Sequence, residues 1–120
     1  MRIMFENGIV LFGVKSPAVV EYEESLARAG ISLRAGVSLG GPVRLLNRKA
    51  SVEIDKLPAS LVGAPCIPCA FLPNARKDLA NHAEDHGFKL SGALVDPASV
   101  VASSSRLGKG TYVNAGTIIG

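Results

Sequence analysis

Three groups of side chains in this chain have types and spacings that can do chemistry. Gly13-Val14-Lys15-Ser16-Pro17 follows the apolar run Ile9-Val10-Leu11-Phe12. Backbone amides at the start of a helix make an anion site, and Lys15 and Ser16 can add donors. Pro17 removes one amide. The same residues also suit an ordinary strand-to-helix turn, and both readings stand here. Cys66-Ile67-Pro68-Cys69 has the C-x-x-C spacing of redox motifs and zinc knuckles. A redox pair needs its first thiol at a helix N-terminus, where the dipole lowers its pKa. Here Ala70-Phe71-Leu72 continues an extended apolar run instead. An odd separation along a strand sends the two side chains to opposite faces. The sequence holds no second cysteine pair to complete a zinc site. Both cysteines therefore read as small buried hydrophobes. His82 and His86 are one helical turn apart, a spacing that can chelate zinc, with Asp78 a turn earlier as the one obvious third ligand. Histidines near a helix end are also favoured by the dipole alone, so no metal is expected. No serine sits in a nucleophile-elbow context.

These groups need elements to hold them. Ile9–Phe12 reads as a short buried strand ending at Gly13. Ser16 is placed to cap a helix with Pro17 in its first position. Val19, Tyr22, Leu26 and Ala29 recur at helical spacing, and Gly30 stops the helix. Glu24 and Arg28 form an i,i+4 pair on the wet side. From Ile31 to Leu39 the apolar positions alternate, which predicts a half-buried strand, broken by Gly40-Gly41-Pro42. Short strands are expected around Val43–Leu46 and Val52–Ile54, then a strand over Cys66–Leu72. A second helix follows, with Asn74 as its cap and Gly87 at its end. Ala75, Leu79, His82, Ala83 and His86 share one face of it, and Phe88 packs back over its last turn. Strand–helix–strand twice over predicts an α/β fold: a small Rossmann-like parallel sheet with flanking helices and right-handed crossovers, over residues 1–94.

At 120 residues there is room for one modest domain and little more. Hydrophobic residues make up 48%, enough for a packed core. Thirteen Lys and Arg against ten Asp and Glu give +3, spread thinly over the chain. The densest groups are Arg44, Arg48 and Lys49, then Arg76 and Lys77. With no Trp and no basic stripe interleaved with aromatics, nucleic acid is an unsuitable partner. An anionic small molecule or nucleotide suits the surplus better. No run approaches membrane-spanning length. The apolar stretch Gly8–Val14 lacks the flanks of a targeting signal. A cytoplasmic protein without a membrane partner is expected.

From Val95 the chain repeats every six residues. The first position of each hexapeptide is Val95, Val101, Leu107, Val113 and Ile119. The second is Asp96, Ala102, Gly108, Asn114 and Gly120, and the fifth is Ser99, Ser105, Thr111 and Thr117. That period fits neither an α-helix nor a simple amphipathic strand. It fits a parallel β-helix over residues 95–120, each hexapeptide one face of a prism. The aliphatic residue points inward, the small or short polar one turns the corner, and Ser or Thr fills the remaining inner space.

A small α/β domain running straight into hexapeptide repeats resembles the sugar O- and N-acyltransferases typified by sialic-acid O-acetyltransferase and bacillosamine N-acetyltransferase. The match lies in the repeats, in Phe71-Leu72-Pro73-Asn74-Ala75-Arg76-Lys77, in Leu94-Val95-Asp96-Pro97-Ala98-Ser99-Val100-Val101, and in Asn114-Ala115-Gly116-Thr117-Ile118-Ile119. The resemblance implies a left-handed β-helix and an α/β domain that receives a sugar or nucleotide-sugar. It places Gly13, Lys15, Ser16, Asn74 and Arg76 on that acceptor. The family transfers an acetyl group from acetyl-coenzyme A, with a histidine as general base and the coenzyme bound in later coils. Both are expected beyond Gly120, so this chain is expected to hold no cofactor and to be inactive alone. The resemblance further implies a homo-oligomer: a trimer for full-length members, a dimer through the open coil for this chain. Leu39-Gly40-Gly41 stands where the family often carries an acidic residue at the end of its second strand. The alternative is a non-catalytic module that binds a nucleotide or sugar and uses its repeats for assembly.

Overall fold

The computed structural model describes residues 7–90 and 92–120. Residues 1–6 and Ser91 of the expected 1–94 unit lie outside them. Strand β1 (Ile9–Phe12) is buried at every position. It lies inside a four-stranded parallel sheet with β2 (Leu33–Ser38), β3 (Ser51–Glu53) and β4 (Cys66–Pro68), in the order β3-β2-β1-β4. A parallel bridge from Pro65 to Lys89 extends the β4 edge. Helix α1 (Val19–Ala29) buries Val19, Tyr22 and Leu26 on one face, with Ile9, Leu11 and Ile67. Helix α2 (Pro73–Asp85) lays Leu79 and Ala83 on the other, with Val10, Phe12, Val37 and Cys66. The α/β reading and the flanking helices are met. The chain leaves β1 through α1 toward β2 on one side, while β4 and α2 lie on the other, so the connections diverge between β1 and β4.

Several local expectations are corrected. The alternating stretch predicted a half-buried strand, yet Ala35, Gly36, Val37 and Ser38 are all buried. The strand lies between two others, and Gly36 gives up its side chain so that Leu45 and Val14 can close over it. A Cβ there would meet Leu45 and lie 2.9 Å from Val14. Val43–Leu46 is accordingly a covering loop rather than a strand. The strand expected over Cys66–Leu72 ends at Pro68, and α2 is preceded by Leu72, not capped by Asn74. Pro73 is the reason: its fixed φ and missing N–H suit the first helical slot and hold the residue before it extended. At α1 the Ser16 hydroxyl does accept the Ala18 N–H at 3.1 Å, but a tight turn intervenes and regular helix starts at Val19. Gly30, at φ 69°, closes α1 in a left-handed cap, and the Ile31 N–H reaches back to the Leu26 carbonyl. Phe88 joins Ala83 of the last turn of α2 in one buried cluster, as expected, and its ring also meets that of Phe12, with centroids 5.7 Å apart.

The repeat segment forms two short parallel pairs. β5 (Leu94–Val95) pairs with β7 (Tyr112–Val113), and β6 (Val100–Val101) with β8 (Ile118–Ile119). Each residue meets the one eighteen positions on: Leu94 with Tyr112, Val100 with Ile118. Val113 is buried and Val101 and Ile119 half-buried, whereas their neighbours Val100 and Ile118 are 61% and 77% exposed. Among the described residues, no helix is long and apolar enough to cross a membrane.

Candidate functional site

The carboxyl ends of parallel strands and the start of the following helix are where such sheets leave a crevice. Here that crevice is a cleft of about 920 Å³. Gly13, Lys15 and Ser16 line it from the turn after β1; Leu39, Gly40, Gly41 and Arg44 from the loop after β2; Asp78 and Leu79 from α2. Gly13 has φ 86° and donates its N–H to Val37 O at 2.9 Å. The positive φ calls for glycine, and a Cβ would in addition press the Leu79 side chain at 3.1 Å. The Lys15 stem runs beneath Gly41, within 3.3 Å of where a Cβ would be. The N–H groups of Lys15 and Ser16 meet no backbone acceptor among the described residues. The cleft thus presents two exposed cations, Lys15 and Arg44, against one carboxylate, Asp78. Such a site favours an anion carried by a larger, partly polar body.

Of the five expected acceptor residues, Gly13, Lys15 and Ser16 come together in the cleft, while Asn74 and Arg76 are not in its lining. Asn74 is exposed in the first turn of α2. Arg76 is occupied within the protein. Its Nη1 donates to Tyr22 Oη at 3.0 Å, Pro68 O at 3.0 Å and Ala70 O at 2.9 Å, and its Nη2 donates to Gly110 O. Arg76 therefore ties the loop after β4 to the repeat segment. Sequence reading gave Arg44 no role beyond its basic cluster and saw Asp78 only as a metal ligand. No local motif marks either residue; the fold brings them to the cleft from separate elements.

The two thiols face opposite sides of the sheet, as their spacing predicts. Burial pushes the Cys66 thiol up to about 12 and raises that of Cys69, which lies at the cleft floor. Neither supplies a thiolate near neutral pH. His82 sets its ring against the Phe12 ring, with centroids 5.6 Å apart, and His86 Nδ1 lies 3.0 Å from His82 O. Among the described residues no three His, Cys, Asp or Glu side chains are grouped to hold a metal.

A second cluster went unread in the sequence. Asp96, expected only to turn a corner, is fully buried against α1. It pairs with Arg28 at 2.7 Å, accepts from Ser25 Oγ at 2.5 Å, and accepts the Ala98 N–H at 2.8 Å. Arg28 thus reaches Asp96, correcting the expected pairing with Glu24: a buried carboxylate holds the guanidinium more strongly than a solvated one. These contacts, led by the Arg28 guanidinium, keep the Asp96 carboxyl well below the usual carboxylate range. Tyr112 Oη shares a 2.6 Å hydrogen bond with Ser25 Oγ, and its ring stacks on Tyr22 with centroids 4.1 Å apart.

Three solved structures place this geometry beside known proteins. All come from Caulobacter crescentus. PerB, in complex with CoA and GDP-perosamine, is 29% identical with a TM-score of 0.62, covering 94% of this chain and 54% of its own. A histidine-to-alanine mutant of GDP-perosamine N-acetyl transferase, in complex with the same two molecules, is 29% identical with a TM-score of 0.68, covering 92% and 53%. A histidine-to-asparagine mutant of perosamine N-acetyltransferase is 31% identical with a TM-score of 0.66, covering 94% and 54%. The chain spans about half the length of these proteins. No family model and no curated protein matches it. The neighbours are sugar N-acetyltransferases, and the α/β part with its parallel sheet and two helices is similar to theirs over nearly all of this chain.

Proposed function

We propose that the cleft receives a nucleotide-sugar and that the chain is the acceptor-binding part of a sugar acyltransferase. Gly13 lets the backbone turn toward the phosphates, and Lys15, Ser16 and Arg44 supply donors to them. The observation that carries this reading is the mildly cationic cleft at the diverging carboxyl ends of β1 and β4, in a chain whose neighbours bind CoA and GDP-perosamine. Arg76 serves it from outside, by fixing the loop after β4. Asn74 is the remaining candidate at the entrance of α2.

The repeat segment is read as the first coil of a left-handed β-helix. Its eighteen-residue register is three hexapeptides, one circuit of a three-sided prism. Acetyl-coenzyme A would supply the acyl group as a thioester, for transfer to a sugar nitrogen or oxygen. No residue lining the cleft is assigned to that donor. His82 and His86 are not in the cleft's lining, so no imidazole base is assigned there and the chain alone is expected to bind without turnover. Association into a homo-oligomer belongs to the same reading.

Calorimetric titration of the 120-residue chain with GDP and GDP-perosamine tests it. Saturable binding that weakens with salt is expected. Lys15→Ala or Arg44→Ala is expected to weaken it roughly fivefold to tenfold, the usual cost of one charge-assisted hydrogen bond at an open site. Failure of every nucleotide and nucleotide-sugar to bind would overturn the assignment.

A further inference from the structure

We infer that this cleft does not read the ribose 2′-hydroxyl of its ligand, and so accepts a 2′-deoxynucleotide sugar as readily as a ribonucleotide one. The inference rests on the nucleotide-sugar reading above and sharpens it. In parallel sheets of this kind the phosphates lie over the turn after the first strand, and a carboxylate at the end of the second strand hydrogen-bonds the ribose hydroxyl. Both places exist here. The turn after β1 carries Gly13, Lys15 and Ser16; the end of β2 delivers Leu39, Gly40 and Gly41 to the same cleft. At the ribose position stands Leu39, apolar and half-buried among Val37 and its neighbours. Gly40 and Gly41, both at positive φ, bring no side chain. Gly41 lies instead on the Lys15 stem. Among the described residues, the end of β2 offers a hydroxyl facing Leu39 no side-chain acceptor, and without that contact the analogue lacking the hydroxyl is not rejected there.

The cleft's one carboxylate, Asp78, comes from α2 on the wall formed with Leu79 and Ala75.

Titration of the whole chain with paired probes decides between these assignments: GDP against 2′-deoxy-GDP, and UDP against 2′-deoxy-UDP. Each deoxy member is expected to bind within about twofold of its partner, since no hydroxyl contact is lost. Leu39→Asp is expected to introduce a preference of about fivefold or more for GDP over 2′-deoxy-GDP. A ribose preference of about tenfold or more in the unaltered chain would overturn the inference and leave the nucleotide reading standing. If Asp78→Asn then removed that preference, the ribose contact would belong to α2. Absence of binding by all four diphosphates would overturn the underlying reading itself.

Discussion

A single carboxylate shows how far side-chain chemistry depends on what the fold puts beside it. Asp96 sits in the second position of a hexapeptide, where the other members are Ala102, Gly108, Asn114 and Gly120. The period accounts for its size and for nothing else. Its partners, Ser25 and Arg28, lie on α1, some seventy positions earlier, so no local pattern could announce them. Because Arg28 and the two further donors favour the ionised form, the folded-state pKa lies below the unfolded value of 3.8. The unfolded chain then binds the proton first as acid is added. The stability supplied by Asp96 is therefore complete above about pH 4 and is lost as pH falls through the folded pKa. Asp96→Asn is expected to cost about 1–3 kcal/mol at neutral pH, by leaving Arg28 and Ser25 without their charged acceptor. The variant should also lose part of the acid dependence, its stability falling less than the parent's below pH 4. Thermal melts of both proteins between pH 3 and 7 measure this. Parallel curves would mean that Asp96 is not the titrating group. The cleft was legible in part for a related reason: Gly13, Lys15 and Ser16 are contiguous and follow an apolar strand, whereas Arg44 and Asp78 arrive from elements that only the tertiary fold brings near.

Elements were read well where one local rule governed them and poorly where packing did. Gly30 ends α1 as expected, because its backbone preference is one that no neighbour overrides; the same kind of rule, Pro73 at the first helical position, opens α2 one residue before the expected Asn74 cap. β2 is the counter-example. Its alternation of apolar and small residues looks like a strand with a wet face, but Gly36 is small because Leu45 and Val14 crowd that face. Parallel sheets covered on both sides take their pattern from the covering layer as much as from the strand. Gly36→Ala puts a methyl group into that contact and is expected to destabilise the chain by about 1–3 kcal/mol, as overpacking does. Leu45→Ala alone opens a cavity and is expected to cost about 2–5 kcal/mol. The double variant should cost less than the two together, because the added methyl then fills vacated space. Urea titrations of the four proteins give the coupling directly. Additive losses would show that the Gly36 contact with Leu45 is not what keeps position 36 small.

At the scale of the whole molecule, the question is what joins the sheet to the repeats. The sequence passes from one to the other without a linker, and the period alone predicts that a single coil is poorly supported. The structure supplies the support unevenly. Leu94 and Asp96 are fully buried, Tyr112 stacks on Tyr22, and Arg76 holds the Gly110 carbonyl, all at the β5–β7 side. The β6–β8 side has no comparable anchor among the described residues, and it exposes Val100 and Ile118. Each such side chain left in water forgoes roughly 1.5–3 kcal/mol of hydrophobic stabilisation. Local opening should follow that difference. The Leu94 and Asp96 amides, bonded to Thr111 O and Val113 O, are expected to exchange at least tenfold more slowly than those of Val100 and Ala102, bonded to Thr117 O and Ile119 O. Arg76→Met should narrow the gap by loosening the anchored side alone. Hydrogen exchange followed residue by residue, with light scattering to track association, tests the argument. Association that covers the exposed edge would raise protection of Val100 and Ala102 as protein concentration increases. Equal protection of both pairs in a strictly monomeric sample would refute the claim that the contacts at the β5–β7 side stabilise the repeat segment.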